Sequence, residues 1–157
     1  MDTLEHQLKT ALRGKVCILG VGNRMRGDDG AGSWLVGRVA GGVAADLLDG
    51  GVAPENYLEK AARNRPDTVL VVDAVDFGGA AGEIRLFDST AIHAGGLSTH
   101  ALSLRMAFEY LTARCSASIV LAAIQPVSIG LAQDMSEPVR GSIERLARAL
   151  RDVLPQA

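Results

Sequence analysis

Thr68-Val69-Leu70-Val71-Val72, followed directly by Asp73, is the stretch that decides the fold. Its apolar and β-branched residues show neither the alternation of a half-solvated strand nor the 3.6-residue period of a surface helix. Such a run fits a central parallel strand covered on both faces. Residues 16–19 and 118–123 read the same way. A shorter strand is expected at Asp46-Leu47-Leu48, and residues 83–87 alternate as an edge strand does.

Helical patterns fill the intervals. Leu4, Leu8 and Leu12 behind Asp2 and Thr3 predict a short amphipathic helix over 3–13, ended by Gly14. Ala31, Trp34, Leu35 and Val39 form one apolar stripe over 30–39, expected to be core, and Gly41-Gly42 stops it. Pro54 suits the first turn of a helix reaching about residue 64. Ser98 or Thr99 can cap a helix in which Leu102, Met106, Phe108 and Tyr110 supply apolar contacts. The last helix, predicted over 136–153, starts at Ser136 with Pro138 in its first turn. It aligns Val139, Ile143, Leu146 and Leu150, and Pro155 ends it. Alternating strands and helices imply right-handed crossovers. The expectation is an α/β fold: a twisted, mostly parallel sheet of about five strands with helices on both faces. No internal repeat, low-complexity tract or linker interrupts it.

With 157 residues, 48% of them hydrophobic, the chain is long enough to bury a core as one domain. A net charge of -2 gives no electrostatic reason to expect nucleic acid or an anionic membrane as partner. No apolar stretch approaches the roughly 18 to 20 residues that span a bilayer. The mixed-charge N-terminus lacks the apolar centre of a signal peptide. A cytoplasmic, monomeric protein is expected. Cys17 and Cys115 belong to no C-x-x-C pair and read as small buried hydrophobes.

In a sheet of this class ligands bind beyond the carboxyl ends of the strands, where strand order reverses. After the first strand comes Gly20-Val21-Gly22-Asn23-Arg24-Met25-Arg26-Gly27-Asp28-Asp29-Gly30. Glycine-rich turns that open a helix commonly cradle phosphate, but two adjacent aspartates repel an anion and attract a cation. Asp73 ends the central strand, where a carboxylate is costly unless paired or ligated. His100 follows Gly95-Gly96-Leu97 and begins a helix. Two carboxylates and an imidazole at one strand edge suit a borderline divalent cation with positions left open. Without metal, close carboxylates share protons and can act as acid and base. Asp49, Asp76 and Glu55 read as supporting or turn residues, Gln125 as a candidate to line the cleft, and His6 and His93 as surface residues, His93 in a loop. Gly22 and Gly50-Gly51 are expected at close approaches or positive φ.

Gly20-x-Gly22-Asn23 with Gly27-Asp28-Asp29-Gly30, Asp49-Gly50-Gly51-x-Ala53-Pro54-Glu55-Asn56, Val72-Asp73-Ala74, Ser98-Thr99-His100 and Ile124-Gln125-Pro126 together resemble the hydrogenase maturation proteases. The likeness is nearest to those processing the large subunit of formate-hydrogenlyase-type nickel–iron hydrogenases, and runs from Val16 to about Leu150. It implies a protease domain over 15–157 behind a helical extension over 1–14. It also implies an endopeptidase, aspartic-type by classification, that removes a C-terminal extension from the nickel-loaded precursor of the large subunit. Its nickel-meeting residues carry over to Asp29, Asp73 and His100, with Asp29 or Asp73 activating water. The nickel is carried by the substrate. Two other readings use the same residues: a non-enzymatic nickel-binding maturation chaperone, and a nucleotide-binding domain. The second lacks the third glycine of the usual fingerprint and places Asp28-Asp29 where phosphate should approach.

Overall fold

Continuous burial marks the central strands, and the sheet they build is five-stranded. In the computed structural model, which describes residues 2–93, 101–127, 130 and 133–156, the strands are β1 (Val16–Val21), β2 (Asp46–Gly51), β3 (Thr68–Ala74), β4 (Ile84–Asp88) and β5 (Ser118–Ile124). Their order is β2-β1-β3-β5-β4. All pairings are parallel except β4 with β5, which makes the alternating segment an antiparallel edge. β3 and β5 are paired over their whole length, Asp73 lying opposite Ala123.

The helices are α1 (Leu4–Ala11), α2 (Ala31–Val39), α3 (Leu58–Arg63), α4 (Ser89–His93), α5 (Ala101–Arg114) and α6 (Glu137–Val153), with 3-10 turns at Gly27–Gly30 and Pro54–Tyr57. One face of the sheet packs Leu70, Val72, Val120 and Ala122 against Leu8, Leu35, Val39, Ile143, Leu146 and Leu150, so α1, α2 and α6 share one layer. The other packs Val69, Val71, Leu121 and Ala123 against Leu58, Ala62, Phe108 and Leu111 of α3 and α5. Side chains alternate along a strand, so Asp73 belongs to the α3/α5 face.

α2 reaches the sheet through Gly32, where a Cβ would collide with the Val72 carbonyl oxygen and the Val21 backbone. Gly32→Ala is expected to push α2 off β1 and β3 at a cost of about 1–3 kcal/mol. The reading is a lower urea midpoint with an unchanged m-value.

The structure corrects several local expectations. Leu35 and Val39 are core, but Trp34 is 44% exposed, because the guanidinium of Arg24 lies 4.3 Å over its ring and makes a surface partner. Among the described side chains of α5 the buried ones are Ala107, Phe108 and Leu111, which leaves Met106 and Tyr110 off the stripe and exposed. The Tyr110 hydroxyl donates to Glu59 Oε2 (2.6 Å), which Arg114 also engages, tying α3 to α5 from outside. Cys17 is buried, and burial pushes its thiol up to about 12. Cys115 is only half-buried, its thiol donating to the Leu111 carbonyl. The segment containing His93 is helical rather than loop, started by Asp88, whose carboxylate accepts the Ala91 N–H (2.9 Å). The predicted cap at Ser98 or Thr99 lies outside the described residues.

Candidate active site at the β1/β3 switch

Strand order reverses between β1 and β3, since β2 lies beyond one and β5 beyond the other. The crevice expected there receives the loop after β1 and the end of β3. At Gly22 the chain turns with φ of 144°, and a Cβ would collide with the Asp29 carbonyl oxygen. The Gly22 N–H donates to the Gly51 carbonyl (2.9 Å), tying the loop to the end of β2. Asn23 closes the turn: its N–H donates to both the carbonyl (3.1 Å) and the carboxylate (3.2 Å) of Asp29, and its Oδ1 accepts the Met25 N–H (2.8 Å). This loop is held by its own backbone, so the carboxylate of Asp29 is placed before any ligand arrives.

Asp28 and Asp29 stand side by side in the 3-10 turn Gly27–Gly30, both buried, and serve different partners. The Asp28 carboxylate accepts the Val127 N–H (2.8 Å), the Ser136 N–H (2.7 Å) and the Ser136 hydroxyl (2.8 Å). It joins the exit of β5 to the start of α6, and the Ser136 hydroxyl serves this junction instead of capping the helix. Asp29 acts on Asp73. Burial pushes the Asp73 carboxyl well above the ordinary carboxylate range, the neighbouring charge of Asp29 raises it further, and the Ala74 backbone N–H partly opposes both. Asp73 therefore holds a proton more readily than a solvated aspartate does.

The supporting residues are engaged within the fold. Asp49 accepts the Ser33 hydroxyl (2.7 Å) and the Gly51 N–H (3.2 Å), while Arg24 bridges to Ser33 and approaches Asp49 Oδ2 at 3.5 Å. Glu55 is exposed. Gln125, expected to line the cleft, is buried with both ends of its amide used: Oε1 accepts the Phe77 and Gly79 N–H groups, and Nε2 donates to Asp76 Oδ1. It fixes the loop beyond β3 instead of facing a substrate. The same contact, followed by the Gly78 N–H, holds the Asp76 carboxyl below its ordinary value. His6 is exposed as expected. His100 lies outside the described residues, and among the described residues no group of three His, Cys, Asp or Glu side chains is assembled that could hold a metal. No helix among them is long and apolar enough to cross a membrane.

Comparison with known proteins bears on the family and the fold. The family model described as hydrogenase maturation protease matches residues 38–153. The chain is 34% identical over 136 residues to the hydrogenase 3 maturation protease of Escherichia coli (strain K12), covering 85% of this chain and 86% of that protein. The crystal structure of a nickel–iron hydrogenase maturation protease, HycI from Thermococcus kodakarensis, superposes with a TM-score of 0.86 at 35% identity, covering 94% and 98% of the two chains. The solution structure of the endopeptidase HycI from Escherichia coli gives 0.76 at 30% identity over 88% and 90%. With a family model spanning most of the chain, and relatives matched over most of their lengths, the chain belongs to the hydrogenase maturation proteases.

Proposed function

We propose that this endopeptidase removes the C-terminal extension from the nickel-loaded large-subunit precursor of a nickel–iron hydrogenase of the formate-hydrogenlyase type, acting as a cytoplasmic monomer. The observation that supports this reading most directly is the presence of two buried carboxylates, Asp29 and Asp73, on the loop after β1 and the end of β3 at the β1/β3 switch. A cation placed between two such carboxylates offsets the repulsion that raises Asp73, and carboxylate oxygens with an imidazole form a donor set that a borderline ion accepts. Asp29, Asp73 and His100 are the proposed ligands, the last carried from the Ser98-Thr99-His100 motif. The ion belongs to the substrate. Meeting it would fix a floppy tail with its scissile bond beside the carboxylates, a gain in orientation worth several orders of magnitude in rate. One aspartate of the pair would then take a proton from water as the oxygen attacks the scissile carbonyl, and pass that proton to the departing amine as the peptide bond breaks. This is aspartic-type chemistry, and the buried thiol of Cys17 has no part in it.

The test is a cleavage assay followed by intact-mass measurement of the large subunit. Nickel-loaded precursor should lose its extension, and nickel-free precursor should stay whole. Efficient cutting of nickel-free precursor overturns the metal recognition. His100→Ala should slow cleavage by about 10²-fold or more, the scale of a lost catalytic or orienting group. Binding of precursor with no change in its mass would return the non-enzymatic chaperone.

A further inference from the structure

A cavity of about 550 Å³ lies beside the glycine-rich loop, lined by residues of α2 and α6. Trp34, Met135 and Ile143 supply apolar surface, and Gly27 carries its wall to the turn that holds Asp29. Gly27 and Asp29 are separated by no more than about 7.6 Å of backbone. The charges of this cavity are Arg24, Arg38, Arg140, Asp134 and Glu144. Arg38 is taken by Glu144, which accepts from its Nε (2.7 Å) and Nη2 (2.8 Å). Arg24 is spread over Ser33, Asp49 and the Trp34 ring. Arg140 differs: its Nε donates to the Met135 carbonyl (3.1 Å), and its two terminal nitrogens make no further hydrogen bond among the described residues. A guanidinium anchored by Nε and open at its fork suits a carboxylate held bidentately.

We infer that this cavity binds the extension of the precursor, one apolar side chain lying on Trp34, Met135 and Ile143 and one carboxylate on Arg140. This rests on the peptidase reading above and extends it to a second recognition point for the segment that is cut away. The complementarity of the open guanidinium and the continuity with the Asp29 turn through Gly27 favour this occupant over the body of the large subunit.

Trp34 is the chain's one tryptophan, so its emission reports occupancy directly. The probe is a synthetic peptide of the extension, as free acid and as C-terminal amide, titrated against wild type and Arg140→Ala. Wild type should show a saturable change in emission, and Arg140→Ala should weaken binding about tenfold, with unchanged circular dichroism. In precursor cleavage the same variant should raise KM and retain kcat. A response to the acid alone assigns the fork to the terminal carboxylate; an equal response to both assigns it to an acidic side chain of the extension. No emission change at saturating peptide, equal affinity of Arg140→Ala, or an equal response to mature subunit lacking the extension overturns the proposal. Cleavage without a Trp34 response removes this site alone, and a Trp34 response without cleavage removes the peptidase reading.

Discussion

Asp73→Asn is expected to abolish cleavage while making the protein harder to melt at neutral pH. Asp73 is fully buried on the α3/α5 face, and both burial and the charge of Asp29 raise its carboxyl well above the ordinary range. A raised folded-state value means that the native protein binds the proton more tightly than the unfolded chain does. The associated stability is complete below the unfolded value, near pH 4, and is lost as pH climbs through the folded one. At pH 7 the wild type carries that loss, and an amide does not ionise. The variant should therefore melt several degrees higher at pH 7, on a scale of about 2–4 °C per kcal/mol for a chain this size. The gap should close toward pH 4. Cleavage should fall by about 10²–10⁴-fold, the range for loss of a general acid or base. Calorimetry across pH beside the precursor assay checks both halves. Equal melting at pH 7 would show that the buried charge is already compensated in the fold, and undiminished cleavage would remove Asp73 from the chemistry.

Asp28→Ala should do the reverse to the fold. Its carboxylate accepts from two backbone N–H groups and one hydroxyl, at positions 99 and 108 residues further along the chain. Truncation leaves those part-buried donors without this acceptor, each at up to about 1–3 kcal/mol where water does not replace it. A combined destabilisation of about 3–5 kcal/mol is expected for losing three hydrogen bonds to one charged acceptor, lowering the melting temperature by about 10 °C or more. Asp29→Asn, one residue along, keeps the side-chain shape and an oxygen for the Asn23 N–H. It should melt within a few degrees of wild type and fail in cleavage. Thermal melts of the two variants side by side separate the roles of adjacent, chemically identical residues. A mild Asp28→Ala would mean that Ser136 and Val127 find other partners.

The contrast shows what the chain's own pattern can disclose. Residues 68–72, 16–19 and 118–123 were readable as strands because burial on both faces leaves no alternation, and this depends on neighbours along the chain. Asp73 was readable because a carboxylate ending such a run is a local anomaly. Asp28 was not separable from Asp29, since its partners come from the exit of β5 and the start of α6, with no short-range signal for either. The role of Gln125 is hidden for the same reason: its amide serves Phe77, Gly79 and Asp76, brought to it by the pairing of β3 with β5. Trp34 follows an apolar stripe yet lies outside, because Arg24 from the preceding loop covers it. At α4 the signal is local: Asp88, followed by Ser89 and Thr90, accepts the Ala91 N–H. The identity of the imidazole ligand rests on the motif around His100.

The clasp at Asp28 also sets how the molecule can fail. Two distant segments share one acceptor inside the turn that aims its neighbour at the crevice, so the outermost turn of α6 cannot fray without loosening the reactive edge. Partial opening at that corner would silence the peptidase well before the sheet itself gives way, and a half-unravelled molecule would not be left able to cut proteins at random.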